Sequence, residues 1–310
     1  VLCVDLMLCC KVMVVVVVVV VVVFAGYALH STERERASAA CAARGAAIFD
    51  DWSADARAGL ERSFLATGKP YAATMAAKTA MWFDRWTESW RAASEAACRA
   101  HTVDERWSDE LHAQAQDCLS EARGSFVALA RTLSRAGDTA VLRASAAAAA
   151  LAPVDRCTQA AALLQRPTMR GGQRLAVLAV RTRLAEASSL EAAGDYEAGL
   201  AVAEAARGGA RATGWPAVVA QAELCTASLE EAAGEFTRAE ASLRRALAAA
   251  REARAAEEAL TSTSELVFVV GYQAARHAEG KVWAEAAETQ LALLAGEHPL
   301  QRAFLDNNLA

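Results

Sequence analysis

Proline and aromatic side chains are scarce in this sequence. Only 5 of its 310 residues are proline, and Phe, Trp and Tyr together make up 6%, although hydrophobic residues reach 55%. Strands favour aromatic and β-branched residues that alternate with polar ones, and long runs such as 243–260 show no such alternation. Alanine, the best helix former, supplies much of the apolar content. The composition therefore predicts an all-α fold.

The sequence also has no excess of basic over acidic residues. Lys and Arg number 32 against 37 Asp and Glu, which gives a formal net charge of -5. Such a chain lacks the cationic field that nucleic acids require, so we expect no nucleic-acid partner. None of the five His residues stands beside a Ser or Cys in a recognisable nucleophile motif. We accordingly expect no catalytic residue, no cofactor and no metal site.

An uncharged run, residues 12–29, lies near the start of the sequence and contains the valines Val14 to Val23 without interruption. As a helix it is about 27 Å long, close to the roughly 30 Å of a bilayer core. A secretory signal peptide is the alternative, but its apolar region spans only about 7–15 residues after a positive segment. We expect a single-pass helix in a bacterial inner membrane, with the lipid bilayer as the partner of residues 12–29. The flanking charges do not determine its orientation.

A segment rich in Trp and Cys follows, at 41–165. Trp82, Trp86 and Trp90 are four residues apart, which places them on one helical stripe. Such a stripe is more typical of a packed core than of an aromatic ligand cradle.

The four Cys residues of this segment predict disulfides, and they are Cys41, Cys98, Cys118 and Cys157. Helices at about 80–100 and 103–133 would form an antiparallel hairpin that brings two thiols together, so we expect the pairs Cys98–Cys118 and Cys41–Cys157. Disulfides form in oxidising compartments, which would place the bulk of the chain outside the cytoplasm. Four reduced, buried thiols are the alternative. A weaker one is a zinc site made of Cys98, His101, His112 and Cys118.

One phrase occurs three times in the last third of the chain, at 193–199, 233–239 and 274–280. Its aromatic residue or His recurs after 40 and then 41 residues, a period typical of helical solenoids. Small residues follow three and ten positions later. We expect these residues to pack the repeats together: Tyr196, Gly199, Ala206, Phe236, Ala239, Ala246, His277, Gly280 and Ala287.

The turn and second helix of each copy resemble the tetratricopeptide repeat, in which this stretch reads Gly-Asp-Tyr-x-x-Ala. The first helix departs from that family, because Arg183 and Glu223 stand where a Trp is usual and Glu230 where a large apolar residue is usual. The resemblance implies a solenoid of about three repeats and a truncated fourth over 174–310; an unrelated helical bundle is the alternative. It also implies a concave protein-binding or peptide-binding groove lined by Arg181, Ser188, Glu191, Gln221, Ser228, Glu231, Ser262 and Tyr272.

A narrower resemblance rests on 90–98, 117–119, 151–157 and, most specifically, the run Leu266 to Arg276. These segments resemble the C-terminal half of bacterial transmembrane serine/threonine protein kinases with tetratricopeptide repeats. In that family a cytoplasmic kinase domain precedes one membrane helix, a helical segment bearing Cys and Trp, and the repeats. The resemblance implies that the repeats form an extracytoplasmic sensing array.

The kinase motifs themselves are missing: the chain contains no glycine-rich phosphate loop, no Val-Ala-Ile-Lys, no His-Arg-Asp and no Asp-Phe-Gly. We therefore expect a non-catalytic fragment whose intact relative carries a kinase upstream. A free-standing membrane-anchored adaptor is the alternative. The expected organisation is a flank (1–11), the membrane helix (12–29), a juxtamembrane linker (30–40), the Cys/Trp-rich segment (41–165), a linker (166–173) and the repeats (174–310).

Overall fold

The structure is a computed structural model that describes residues 2–135, 137–169, 171–294 and 298–309, without the side chains of residues 2–15, 26, 28, 300 and 309. Within these ranges the regular secondary structure is entirely helical, and there is no strand. The prediction of an all-α fold is confirmed.

The first helix, α1, runs from Leu2 to Ala46 without a break. Its valines from Val16 to Val23 are 46–63% exposed, and its length and apolar composition are sufficient to cross a membrane. Residues 30–40, expected as a linker, continue the same helix. Their Glu, Arg and Ala residues are strong helix formers, so the helix has no local reason to end there.

Five helices then form a unit that we call the bundle. They are α2 (Ala54–Ala66), α3 (Ala72–Thr102), α4 (Asp109–Leu133), α5 (Asp138–Ala149) and α6 (Ala160–Leu164), with short 3₁₀ turns at Ala47–Asp50 and Asp155–Thr158. Ser53 and Ser108 begin α2 and α4 by accepting backbone N–H bonds of 3.3 and 3.2 Å from the first helical turn, which satisfies donors that the helix itself leaves free.

Aromatic rings fill the centre of the bundle. Phe126 is fully buried, stacks on Trp86 with centroids 4.9 Å apart, and meets Phe83 edge-on at 5.0 Å. The indole N–H groups of Trp86 and Trp90 donate 2.9 Å bonds to the carbonyls of Ala152 and Leu119. Trp82 is partly buried against the same core. The Trp stripe therefore belongs to the core, as its spacing predicts.

The structure pairs the four Cys residues as Cys41–Cys98 and Cys118–Cys157, with Cα atoms 5.4 and 5.5 Å apart. Disulfide bonding is as expected, but the expected pairing is wrong. At the level of Cys118, α4 lies beside Trp90, which is eight residues, or about 12 Å, along α3 from Cys98. The uninterrupted α1 instead brings Cys41 to Cys98. Because both thiols of the alternative zinc site are in separate disulfides, that hypothesis is also wrong.

Helices α7 to α12 form a second unit, which we call the stack: α7 (Arg174–Ala193), α8 (Tyr196–Ala212), α9 (Pro216–Ala232), α10 (Phe236–Ala253), α11 (Ala256–Leu266, continued by a π-helical segment, Val267–Gln273) and α12 (His277–Leu293). A 3₁₀ turn at Gly171–Gln173 precedes it, and α13 (Pro299–Leu309) follows it. Each helix of the stack packs on the next in chain order, and α7 also packs on α9.

The backbone repeats at the turn inside each hairpin. Gly194, Gly234 and Ala275 occupy the same left-handed position, with φ of 89°, 79° and 52°. The second helix of each hairpin begins two residues later, at Tyr196, Phe236 and His277. The three-copy phrase thus marks three structurally equivalent turns. Ala275 adopts a conformation that its Cβ disfavours.

Small residues let the helices of the stack approach closely. Gly199 and Gly280 are buried, as are Ala206, Ala239, Ala246 and Ala287. A Cβ on Gly199 would lie 2.7 Å from Leu229, and one on Gly280 would lie 2.5 Å from the Cα of Gly271. These small residues lie buried at contacts between helices of the stack.

The aromatic positions of the phrase behave less uniformly. Tyr196 and Phe236 are partly buried, whereas His277 is exposed. The expectation that His277 packs the repeats is wrong, because a polar imidazole gains more from water than from an apolar contact.

The two unusual Glu residues of the first helices are buried and paired. Glu223, 1% exposed, accepts bonds of 2.7 Å from Arg211 and 3.0 Å from Arg245. Glu230 is equally buried and accepts a 2.7 Å bond from Ser242. Ion pairs between helices therefore occupy positions where the resembling repeats carry large apolar side chains.

Candidate binding groove

An open groove of about 990 Å³ lies between the bundle and the stack. One wall is α4 and the start of α5, the other is α7, and α9 contributes Gln221 and Cys225. Apolar side chains, among them Val127, Leu178 and Leu184, line it together with charged residues of both walls. A concave surface with this mixture is typical of a site that binds a ligand or a peptide.

Three of the residues predicted for the groove line it: Arg181, Ser188 and Gln221. Arg181 is already engaged. Its guanidinium donates a 3.1 Å bond to Gln221, lies 3.5 Å from the Glu121 carboxylate and covers the ring of Trp215. Ser188 is exposed and lies 3.5 Å from the thiol of Cys225. Arg181 therefore shapes one end of the groove, while Ser188 remains accessible.

Three carboxylates that are not among the groove-lining residues lie near one another, one on each first helix of the stack. They are Glu191 on α7, Glu231 on α9 and Glu265 on α11, and we call them the glutamate row. Ser228 donates a 2.5 Å bond to Glu191, whereas Oε1 of Glu231 is buried without a hydrogen-bond partner among the described residues. The predicted groove positions Glu191, Ser228 and Glu231 thus lie together.

Burial dominates the electrostatics of this row. Burial, followed by the nearby carboxylates of Glu265 and Glu191, raises the pKa of Glu231 to about 8. Burial and the carboxylate of Glu191 raise the pKa of Glu265 to about 7. Burial also raises the pKa of Glu191, against the bond from Ser228. Burial and neighbouring carboxylates favour the protonated form, and a cation placed there would favour the ionised form instead.

The last two predicted positions lie elsewhere. Ser262 is fully buried and donates a 2.7 Å bond to the carbonyl of Glu258 on its own helix, so the expectation that it lines the groove is wrong. Tyr272 is 69% exposed and stacks on Phe268 at 5.8 Å. The π-helical end of α11 shifts residues of the third first helix out of the register that the first two share.

Several side chains that hold the groove together are not apparent from the sequence. Glu121 on α4 pairs with Arg166 at 2.6 Å, and Arg156 makes a two-pronged bond to Glu257 on α11. Gln221 donates a 3.0 Å bond to Glu258. The Arg156–Glu257 contact joins the bundle to α11 of the stack, whereas the Glu121–Arg166 contact joins α4 to the segment after α6 and the Gln221–Glu258 contact joins two helices of the stack. Of these residues, the repeat pattern predicted only Gln221.

The remaining titratable groups of note are a pair of His residues and the thiol of Cys225. Within the described part of the chain, no group of three or more His, Cys, Asp or Glu residues is placed to hold a metal ion. The rings of His101 and His112 stack at 4.4 Å, and burial together with the neighbouring His101 lowers the pKa of His112. Burial raises the pKa of the Cys225 thiol to about 11, so it is not a thiolate nucleophile at neutral pH.

No family model, curated protein or solved structure matches this chain. The resemblance to tetratricopeptide repeats and to receptor-like kinases therefore stays a prediction.

Proposed function

We propose that this protein is a membrane-anchored helical-repeat protein that binds a peptide, or a segment of a partner protein, in the groove between α4 and α7. The observation that carries the proposal is the groove itself, which is open, about 990 Å³ in volume and lined by apolar and charged side chains from both units. The apolar, exposed valines of α1 support a membrane anchor.

The stack belongs in this proposal to the tetratricopeptide type. The equivalent left-handed turns at Gly194, Gly234 and Ala275 support it, as do the buried small residues that follow them. Stacked hairpins of this kind use their concave side to hold partners rather than to perform chemistry.

The bound segment carries a Lys or Arg that lies on the glutamate row. Glu231 and Glu265 are partly desolvated next to other carboxylates, and a cationic side chain both stabilises the ionised row and satisfies the unpaired Oε1 of Glu231. Apolar side chains of the segment contact Val127, Leu178 and Leu184 in the groove.

A substitution pair tests the groove. Peptides selected from a random 12-residue display library on the detergent-extracted chain are expected to protect 178–195 and 221–231 from amide hydrogen exchange. Glu191→Gln with Glu231→Gln should weaken a selected peptide at least about tenfold, since charged hydrogen bonds are lost. The matched control is Glu197→Gln with Glu252→Gln, which makes the same chemical change at two exposed sites that belong neither to the glutamate row nor to the groove lining. Equal peptide affinity of both double variants would exclude the glutamate row from the peptide-binding site.

The binding should also depend on pH. A cationic side chain requires ionised carboxylates, and the row holds protons up to about pH 7 at Glu265 and about pH 8 at Glu231. Affinity is therefore expected to rise between about pH 6 and pH 8 and to level off above that, with proton release on binding. Calorimetric titration in two buffers of different ionisation heat measures the released protons. A pH-independent affinity with no proton release would contradict the assignment.

The resemblance to receptor-like serine/threonine kinases extends the proposal: the groove faces an oxidising, extracytoplasmic space and serves as the sensing part of such a kinase. The two disulfides support that compartment. In native membranes, alkylation without reduction followed by mass spectrometry should leave Cys41, Cys98, Cys118 and Cys157 unmodified, and full alkylation would place them in the cytoplasm. The reading frame upstream of Val1 is expected to encode the kinase motifs.

A further inference from the structure

The outer part of α1 is joined to the bundle at several points, although it also continues the membrane helix. Residues 30–46 form about 25 Å of uninterrupted helix beyond the apolar run. Cys41 is fully buried and bonded to Cys98 of α3. Four residues further on, a Cβ on Gly45 would lie 2.7 Å from the carbonyl oxygen of Arg91, so the two backbones are in direct contact. Arg99 of α3 also donates a hydrogen bond to Ser38.

One side chain connects the end of α1 with the wall of the groove. Arg123 on α4 lines the groove, and its Nε donates a 2.5 Å bond to Asp51 while Nη2 donates a 3.2 Å bond to the carbonyl of Ala47. The same guanidinium lies 5.6 Å from the ring centre of Trp90. Ala47 directly follows the last residue of α1. The groove wall and the end of the helix therefore share a partly buried, two-pronged contact.

We infer that the outer part of α1 is a rigid stalk, through which Arg123 transmits displacements of the groove wall α4 to the membrane helix. This inference rests on the proposed membrane anchor and groove. A continuous helix without a flexible linker transmits a rotation or tilt from one end to the other. A bound segment that moves α4 therefore also reorients the transmembrane part of α1. The disulfide Cys41–Cys98 prevents the stalk from sliding along α3. Coupling of this kind gives the groove a mechanical output across the bilayer.

The coupling is tested by breaking the contact at the stalk and observing the groove. In the full chain reconstituted in phosphatidylethanolamine/phosphatidylglycerol nanodiscs, Asp51→Asn should raise amide hydrogen exchange of 120–131 about fivefold, because Arg123 loses its charged partner. The control, Asp50→Asn, makes the same chemical change at an exposed neighbour and should leave that exchange unchanged. If Asp51→Asn changes amide hydrogen exchange only in residues 47–52, the contacts of Arg123 have only a local effect and the inference is overturned.

Rigidity of the stalk is measured in the same nanodiscs. Spin-labelled non-natural amino acids at Tyr27 and Ala113, both exposed, should give a narrow distance distribution in the wild type. Insertion of Gly-Ser-Gly-Ser after Thr32 should broaden it and so calibrates the flexible case. A wild-type distance distribution as broad as that of the insertion variant would contradict a rigid stalk. Resistance to carbonate extraction and peptide binding are assayed separately, so loss of the anchor or groove is distinguishable from loss of the coupling.

Discussion

The bundle and the stack pack their helices with side chains of different size. The bundle surrounds one centre, where Phe64, Phe83 and Phe126 are fully buried. The stack has no such aromatic centre; Ala and Gly at its closest helix contacts alternate with buried Leu and Val side chains such as Leu229, Leu243 and Leu266. Several helices around one point leave a space that large rings fill, whereas helices packed pairwise approach closely only over small residues. The comparison shows that a chain poor in aromatics can still build two units if it concentrates them in one.

The two units also differ in the bonds that connect their helices. Disulfides cross-link the bundle: Cys118–Cys157 lies within it, and Cys41–Cys98 joins it to α1. The stack buries Glu223 and Glu230 against Arg and Ser residues of neighbouring helices. Buried ion pairs fix which helices are neighbours more than they add stability, which suits an array whose units contact only the next in line.

The largest expected effect breaks the centre of the bundle. Phe126→Ala removes a ring that contacts Trp86, Phe83 and Trp52, and should lower the free energy of unfolding by about 3–5 kcal/mol. Phe236→Ala in the stack, where the ring is only partly buried, should cost less. Urea denaturation followed by circular dichroism compares the two. Equal losses would mean that the stack depends on a large-residue core after all.

An intermediate effect is expected at a glycine whose position in the stack leaves no room for a side chain. Gly199→Ala places a Cβ 2.7 Å from Leu229 and 3.2 Å from the carbonyl of Ala187, and should destabilise by about 1–3 kcal/mol. Gly208→Ala on the same helix meets nothing within 4 Å and should stabilise by about 0.5–1 kcal/mol. Both values come from thermal unfolding at one pH. A stabilising Gly199→Ala would show that the two hairpins can separate without cost.

The smallest effect concerns the third turn of the stack. Ala275 has φ of 52°, where the equivalent positions carry Gly194 and Gly234. Ala275→Gly should therefore raise the free energy of unfolding by about 1 kcal/mol. Ala274→Gly, at an ordinary φ of -87°, should give no gain. Differential scanning calorimetry separates the two variants, and a loss at Ala275→Gly would indicate that this turn is not equivalent to the other two.

Local patterns explain which parts of this molecule were predictable. The glycines and small residues of the phrase anticipated the turns and the close helix contacts, because backbone conformation and side-chain volume act over a few residues. Glu223 and Glu230 appeared in the sequence only as departures from the repeat pattern. Their role became visible once Arg211, Arg245 and Ser242 were placed on adjacent helices.

The sequence by itself determined the helical class, the apolar helix near the start, the three hairpin turns and the core position of the Trp stripe, since each depends on composition or short-range spacing. Tertiary structure alone decided the pairing of the Cys residues, the exclusion of Ser262 from the groove and the contact of Arg123 with Asp51. Those outcomes depend on which helix faces meet across tens of residues, and on small shifts of register such as the π-helical end of α11. Side chains that are distant in sequence become neighbours only when whole helices are packed.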